Sequence, residues 1–177
     1  GARIMSEIVP EAIALLPLPL RSQMSVVQQA RGEDEEKVRA AYARLGVKAE
    51  VKSFFADLPA RMAATHLVIA RAGASTVAEL SVIGRPSILV PFPHAIDQDQ
   101  AANAAHLAAE GAAIVIDQKE FSPQWLAKAL QTAVADPAAL ATRAAAAKKL
   151  GISDAAKRLA DLVLRTAHLE MMHEAAA

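Results

Sequence analysis

Short apolar runs alternate with longer helix-like stretches along most of this chain. The apolar runs are four or five residues long and contain β-branched residues, as buried strands do. The candidate strands are residues 25–28, 50–54, 66–70, 87–90 and 113–116. Stretches rich in Ala, Leu, Glu and Lys lie around residues 34–45, 57–64, 74–83, 99–110 and 123–135. Strands separated by helices form a parallel sheet with helices on both faces, so the pattern predicts an α/β fold with a Rossmann-like sheet.

Glycines mark the ends of three of the predicted helices, and they are Gly46, Gly84 and Gly111. After the last strand only helical periodicity continues, through residues 122–167. The apolar stripe of the last helix consists of Ile152, Ala155, Ala156, Leu159, Leu162 and Val163. We therefore expect a Rossmann-like domain over residues 1–152 and a C-terminal helix and tail over residues 153–177.

Composition limits the function classes. A chain of 177 residues is long enough for one well-buried domain. Lys and Arg number 19, as do Asp and Glu, so the basic excess of a nucleic-acid-binding surface is missing. The sequence has no cysteine for disulfides or thiolate metal sites, which suits a cytoplasmic protein. No apolar run of about 18 residues predicts a membrane span, and without a starting Met the chain is expected to be a piece of a longer protein.

The loop after the third strand, within "ARAGASTVAEL" at residues 70–80, has two interpretations. In the first, Thr76 and Glu79 form an S/T-x-x-E capping box that only closes the start of a helix. In the second, Gly73 leaves the strand without bulk, and the N–H groups of residues 74–76 (Ala74, Ser75 and Thr76) face a phosphate at the positive end of the helix. Glu79 would then accept hydrogen bonds from sugar hydroxyls. These residues alone favour the capping box.

The loop after the fourth strand, "PFPHAIDQDQ", gathers polar side chains at another predicted helix start. Asn103 lies four residues after Asp99 and three after Gln100, so these three side chains share one face of that helix. They form a candidate surface for reading hydroxyl groups. The alternative, in which Asp97 caps the helix and the amides of Gln98 and its neighbours are simply solvated, remains open.

Two adjacent aromatic residues, Phe54 and Phe55, end the second predicted strand. At the carboxyl edge of a sheet they could stack on a base, although such residues belong more often to the core. Asp57 is expected to be the N-cap of the next helix.

Taken together, these segments resemble a known family. The similar segments are "GARIMSEIVPEAIALLP", "VVQQAR", "VKSFFADLPARMAATHLVIARAGASTVAEL" and "GRPSILVPFPHAIDQDQAANAAHL". They are similar to the C-terminal half of the bacterial UDP-N-acetylglucosamine:lipid-linked muramyl-pentapeptide N-acetylglucosaminyltransferases, which make peptidoglycan lipid II, and the similarity runs over residues 1–167. Members of this family have the GT-B fold, in which two Rossmann-like domains face a cleft and the C-terminal domain binds the UDP-sugar donor.

By position, the resemblance implies a donor-binding set. Its members are Phe54, Phe55, Arg71, Gly73, Ala74, Ser75, Thr76, Glu79, Gln100 and Asn103. Glu79 would hold the ribose hydroxyls, and the N–H groups of residues 74–76 would lie near the diphosphate and the sugar. Phe55 would meet the uracil through its backbone, with Phe54 nearby. Arg71 matches an arginine of the family motif, and its role stays open.

The resemblance also implies that Gln100 and Asn103 read hydroxyls of the N-acetylglucosamine. Gly1 and Ala2 would be the remnant of a glycine-rich phosphate loop whose first strand is missing. The N-terminal domain, with the acceptor site, the membrane-facing patch and the general base, would be missing too. The chain alone is then expected to bind UDP-N-acetylglucosamine weakly and to lack catalytic residues, cofactor and metal. The lipid-linked acceptor and the inner face of the cell membrane would be reached only through the missing domain.

Two alternatives remain at this stage. The chain could be a stand-alone catalytic subunit that resembles the eukaryotic N-acetylglucosaminyl-diphosphodolichol synthase, and the sequence upstream of Gly1 in the parent gene would distinguish this case. It could also be a non-enzymatic α/β interaction domain in which "ARAGASTVAEL" is merely a helix cap. That hypothesis predicts no rise in melting temperature with UDP.

Overall fold

The computed structural model describes residues 2–95 and 99–175, with side chains described as far as residue 167. The strands are β1 (Ser25–Gln29), β2 (Lys48–Lys52), β3 (Val68–Ala70), β4 (Ser87–Leu89) and β5 (Ala113–Val115). The helices are α1 (Arg3–Ala14), α2 (Leu18–Arg21), α3 (Gly32–Arg44), α4 (Leu58–Ala64), α5 (Ala74–Ile83), α6 (Asp99–Ala109), α7 (Pro123–Ala135), α8 (Pro137–Leu150) and α9 (Ala155–Ala175).

The strands form two parallel ladders over one hydrophobic core. β1 pairs with β2, and β3, β4 and β5 pair in that order. Val51 of β2 and Ile88 of β4 are buried in the same apolar cluster as α1 and α7 residues, so the two ladders share a core. The predicted parallel α/β architecture is confirmed. It is divided into two ladders because no strand in the described ranges pairs with both β1 and β3.

The predicted strands and helices are found close to their expected positions. Gly46, Gly84 and Gly111 have φ angles of 65°, 78° and 72° and follow helices, as predicted. The main shift concerns β2, which begins at Lys48 and ends at Lys52, because Lys52 is the last residue in register with β1. The prediction that Phe54 ends the second strand is therefore wrong, and the aromatic pair lies in the β2–α4 loop.

Helix α5, which starts in the candidate phosphate-binding loop, is fixed by the end of α8. A Cβ placed on Gly151 would lie 2.6 Å from the carbonyl oxygen of Ser81, so only glycine allows the end of α8 to approach α5 this closely. The ammonium of Lys148 donates a hydrogen bond to the carbonyl of Val82. These contacts hold the C-terminal half of α5 against the body of the domain.

Helix α9 has the predicted apolar stripe, but its side chains up to residue 167 do not enter the core. Leu159, Leu162 and Val163 are 63%, 55% and 57% exposed. Among the helices with described residues, none has the length and apolar character needed to cross a membrane.

Candidate functional site

The first turn of α5 has no side-chain cap. The N-cap residue is Gly73, with φ −63° and ψ 148°, and α5 begins at Ala74. Thr76 is therefore the third helical residue. A capping box requires its Ser or Thr at the N-cap, immediately before the first helical residue. The capping-box interpretation of Thr76 and Glu79 is consequently wrong.

Without this cap, the start of α5 is open. The first backbone hydrogen bond of the helix runs from the N–H of Val77 to the carbonyl of Gly73, at 3.0 Å. The N–H groups of residues 74–76 precede this bond and have no partner within the helix. Ala74 and Ser75 are exposed, and the first turn contains no acidic residue to offset the helix dipole. This turn can accept an anionic group such as a phosphate.

Glu79 lies about one and a half turns after the start of α5. Its side chain is half-buried and makes no hydrogen bond or ion pair with any residue in the described ranges. A carboxylate in this state can accept hydrogen bonds from two neighbouring hydroxyl groups of a ligand. Glu79 and the open first turn both belong to α5, the helix that follows β3.

Arg71 joins the exits of three strands. Its Nη1 donates to the carbonyl oxygens of Val90 and Pro91, each at 3.0 Å, and its Nη2 donates to Oε1 of Gln118 at 2.5 Å. The guanidinium carbon lies 5.3 Å from the ring centroid of Phe92. Partial burial lowers the pKa of Arg71. These contacts indicate that Arg71 positions the loops after β3, β4 and β5. The contacts could not be predicted from the sequence, because the partners are up to 47 residues away from Arg71.

The two amides predicted to read sugar hydroxyls also fix loops. Oε1 of Gln100 accepts a hydrogen bond from the N–H of Phe92 at 3.0 Å. Nδ2 of Asn103 donates to the carbonyl of Ala72 at 3.1 Å. Asn103 therefore holds α6 against the residue that precedes Gly73, while its Oδ1 has no partner among the residues that the structure describes. The structure brings the start of α6 and the start of α5 together at one sheet edge.

The β2–α4 loop combines an exposed and a buried aromatic residue. Phe54 is 71% exposed, whereas Phe55 is 5% exposed and lies beneath the guanidinium of Arg61, 4.5 Å from its ring centroid. Nη1 of Arg61 donates to Glu50 at 2.6 Å and its Nε donates to Asp57 at 2.7 Å. The core interpretation holds for Phe55 and fails for Phe54, since only the latter can offer its ring to a ligand.

Arg61 is a residue that sequence reasoning missed, although its spacing of four from Asp57 was a usable signal. Asp57 does occupy the N-cap position of α4, but it makes no capping hydrogen bond there, because its carboxylate accepts from Arg61. Hydrogen bonds from Arg61 and then Lys52 lower the pKa of Glu50 to about 2. The pKa of Asp57 is lowered as well, chiefly by its hydrogen bond from Arg61.

The remaining predicted residues lie at the beginning of the chain and before α6. Ala2 is the N-cap of α1 and supplies no side-chain cap. Nη2 of Arg3 lies 3.5 Å from Oε1 of Glu33, which places the start of α1 beside the start of α3 at the exit of β1. Gly1, Asp97 and Gln98 lie outside the described residues.

Comparisons with known proteins find related sequences and folds. The family model described as the glycosyltransferase family 28 C-terminal domain matches residues 1–159. A protein of Methylobacterium sp. (strain 4-46) is 61% identical over 168 residues, and one of Nitrobacter hamburgensis is 56% identical over 170. These cover 94% and 96% of this chain. Both carry the name UDP-N-acetylglucosamine--N-acetylmuramyl-(pentapeptide) pyrophosphoryl-undecaprenol N-acetylglucosamine transferase.

Among solved structures, MurG of Acinetobacter baumannii matches with a TM-score of 0.80 and 29% identity, over 93% of this chain and 49% of that one. The glycosyltransferase of kitacinnamycin shares the fold, with a TM-score of 0.65, 24% identity and coverage of 93% and 39% of the two chains. The chain spans about half the length of the curated relatives it matches, 45% and 46% in the two cases above. With residues 1–159 matched by the family model and relatives above 55% identity, the chain belongs to the glycosyltransferase family 28 C-terminal domains.

Proposed function

We propose that this chain is the donor-binding half of an inverting hexosyltransferase and that it binds UDP-N-acetylglucosamine. Within a longer protein, it would present this donor to a lipid-linked muramyl-pentapeptide acceptor, and transfer of N-acetylglucosamine would give lipid II for peptidoglycan synthesis. The names of the relatives support the reaction, and the structure supports the donor site. Residues 1–152 form the donor-binding domain in this proposal, and residues 153–177 form its C-terminal extension.

One observation carries the proposal, namely the open first turn of α5 with an unpartnered carboxylate on the same helix. The N–H groups of residues 74–76 offer an anion site for the diphosphate. Glu79 is free to accept hydrogen bonds from the two ribose hydroxyls. Phe54 offers an exposed ring near the base, while Phe55 contributes its backbone. An anion site, a carboxylate and an exposed aromatic ring are the kinds of group that would suit the diphosphate, the ribose and the base of a uridine diphosphate.

The chemistry assigned to this half is stabilisation of the leaving group. As the glycosidic bond to the diphosphate breaks, negative charge grows on the departing UDP, and helix N–H groups already aimed at it stabilise that charge. An inverting transfer also needs a general base that removes the proton of the acceptor hydroxyl. We assign this base, the acceptor site and attachment to the inner face of the cell membrane to the other half of the longer protein. The isolated chain is then cytoplasmic, and it binds the donor without turning it over.

Isothermal titration calorimetry with UDP tests the donor site. The wild-type chain should bind UDP saturably and prefer it to ADP. Glu79→Gln keeps the size of the side chain and removes its charge, and it should weaken UDP binding by about tenfold or more, because a hydrogen bond to a charged group contributes about 1.5–3 kcal/mol. The matched control is Glu11→Gln, at an exposed glutamate of α1, and it should bind UDP as the wild type does.

Equal UDP affinity in wild type and Glu79→Gln would refute the assignment of Glu79. A melting temperature that does not rise with UDP far above the expected dissociation constant would refute nucleotide binding altogether, since any ligand of the folded state must raise it. That second outcome would support the interaction-domain hypothesis instead.

A further inference from the structure

A cavity lies at the end of the β3–β5 sheet opposite to the candidate donor site. It has a volume of about 350 Å³ and lies between the amino-terminal part of that sheet and helices α7 and α8. Its mostly apolar wall includes Leu67, Ile88, Ile114, Trp125 and Leu140. Leu67 directly precedes β3, whereas the candidate donor site follows the carboxyl ends of the strands. The cavity is therefore separate from the donor site, and its volume falls in the range of small-molecule sites.

The floor of this cavity contains a polar atom without a partner. Ser87, the first residue of β4, lines the cavity and is 1% exposed. Its Oγ makes no hydrogen bond within the described part of the chain. A buried hydroxyl without a hydrogen bond costs free energy, and such groups in native proteins usually have a partner.

Charged side chains line the open side of the cavity, and the balance is positive. Lys128 of α7 and Arg143 of α8 both line it, and neither is paired with a carboxylate among the described residues. Arg143 makes only a long hydrogen bond, 3.4 Å, to the carbonyl of Gly111. The one acidic residue in the lining, Asp136, caps α8 by accepting a hydrogen bond from the N–H of Ala139 at 2.9 Å. The lining therefore has two cations and one carboxylate, and the positive end of α8 offsets part of the charge of Asp136.

From these features we infer that the cavity binds a small amphiphilic anion, a molecule with an apolar body and a single carboxylate or sulfonate group. The apolar body lies against Trp125 and Ile88, and the anionic group lies on the side of Lys128 and Arg143. Apolar walls alone would suit any hydrophobic molecule. The two unpaired cations make the class specific, because they favour an anion over a neutral molecule of the same shape.

The sequence provides a built-in reporter for this site, because Trp125 is the sole tryptophan. Fluorescence of the 177-residue chain can therefore be followed during titration with decanoate and, separately, with the matched neutral compound 1-decanol. Decanoate should produce a saturable shift of the emission to shorter wavelength, as water leaves the indole. It should bind at least about threefold more tightly than 1-decanol, in line with the contribution of partly exposed ion pairs. UDP should not compete with it.

Two kinds of variant locate the binding. Ala129→Phe places a ring in the cavity and should abolish the decanoate response, with circular dichroism used to check folding. The double variant Lys128→Gln, Arg143→Gln leaves the cavity intact; it should weaken decanoate binding about threefold or more and leave 1-decanol binding unchanged. Lys149→Gln, at an exposed lysine of α8 outside the cavity, is the matched control and should behave as the wild type.

Several results would overturn the inference. One is the absence of a saturable response to decanoate up to millimolar concentration. Another is equal affinity for decanoate and 1-decanol, which would make the site merely hydrophobic. An effect of Lys149→Gln as large as that of the double variant would show a general charge effect in place of a site. Displacement of decanoate by UDP would place the binding in the donor site.

Discussion

Helices α5 and α7 both follow a parallel strand of the β3–β5 sheet, yet they begin in opposite ways. At the start of α7 the hydroxyl of Ser122 accepts a hydrogen bond from the N–H of Trp125 at 3.2 Å. At the start of α5 the corresponding residue is Gly73, which has no side chain to offer. The chain thus satisfies one helix start with a side chain of its own and leaves the N–H groups of the other without a side-chain cap.

Two carboxylates show the same division. Glu50, in the middle of β2, is held by Arg61 and Lys52, whereas Glu79 has no partner among the described residues. Of these two carboxylates, Glu50 serves the scaffold, and Glu79 is the candidate for binding. The comparison can be tested with variants of the two helix starts and of the residues that hold Glu50.

The largest expected effect comes from the residue that supports the open helix start. Arg71→Met keeps the length of the side chain but removes three hydrogen bonds to the exits of β4 and β5. We expect the free energy of unfolding to fall by about 2 kcal/mol, because these are hydrogen bonds from a charged, partly buried group. Urea denaturation measures this change.

Arg158→Met is the matched control, since Arg158 pairs with Asp154 on the exposed surface of α9. Its removal should change stability by less than about 0.5 kcal/mol. If Arg71→Met lowered the free energy of unfolding as little as Arg158→Met does, Arg71 would not fix the loops. A role of Arg71 in donor binding would then require a direct contact with the ligand.

A smaller effect on stability distinguishes the start of α7 from the start of α5. Ser122→Ala removes the cap of α7 and should cost about 1 kcal/mol of unfolding free energy. Thr76→Ala should leave stability nearly unchanged, because Thr76 does not cap α5. Thermal and urea unfolding of both variants measure the difference. If Thr76→Ala lowered the free energy of unfolding as much as Ser122→Ala, Thr76 would cap α5 in solution, in contrast to the structure.

The smallest expected effect is on the pH dependence of the melting temperature, and it concerns Glu50. The pKa of Glu50 is about 2 in the folded chain against 4.5 for a free glutamate. Glu50 therefore stabilises the fold fully above pH 4.5, and this contribution is lost as the pH falls from 4.5 towards 2. In Glu50→Gln the melting temperature should decline less over this window than in the wild type.

Arg61→Met removes the chief cause of the shift and should flatten the same part of the profile. If both variants kept the wild-type profile between pH 4.5 and 2, the ion pair would contribute nothing measurable to folding in solution.

The fold could be predicted from the sequence because its signals are local. Alternation of apolar and helical stretches located the strands, and glycines such as Gly84 located helix ends. The helical stretch predicted around residues 74–83 coincides with α5, but the pattern left its N-cap undecided, since Gly73, Ser75 and Thr76 are all acceptable N-cap residues. The packing of α5 and the backbone of Gly73 decide among them.

The sequence suggests members of the candidate site but not their contacts within the chain. Glu79 and Asn103 are predicted from their spacing along predicted helices. The contacts of Arg71 with Val90 and Gln118 join residues far apart in sequence, and no local pattern encodes them. Such contacts arise only when the strand exits meet at one edge of the sheet.

The division of the strands into two ladders also has a consequence for hydrogen exchange. In the part of the chain that the structure describes, side-chain packing joins the β1–β2 pair to the β3–β4–β5 sheet, and no backbone ladder does. Local opening follows cooperative units of this kind. Amide protons of β4, paired on both sides, should exchange slowest, and those of β1 and β2 should exchange as a separate and faster group. We therefore expect that, in this 177-residue chain, β1 and β2 open while the strands that precede Glu79 stay closed.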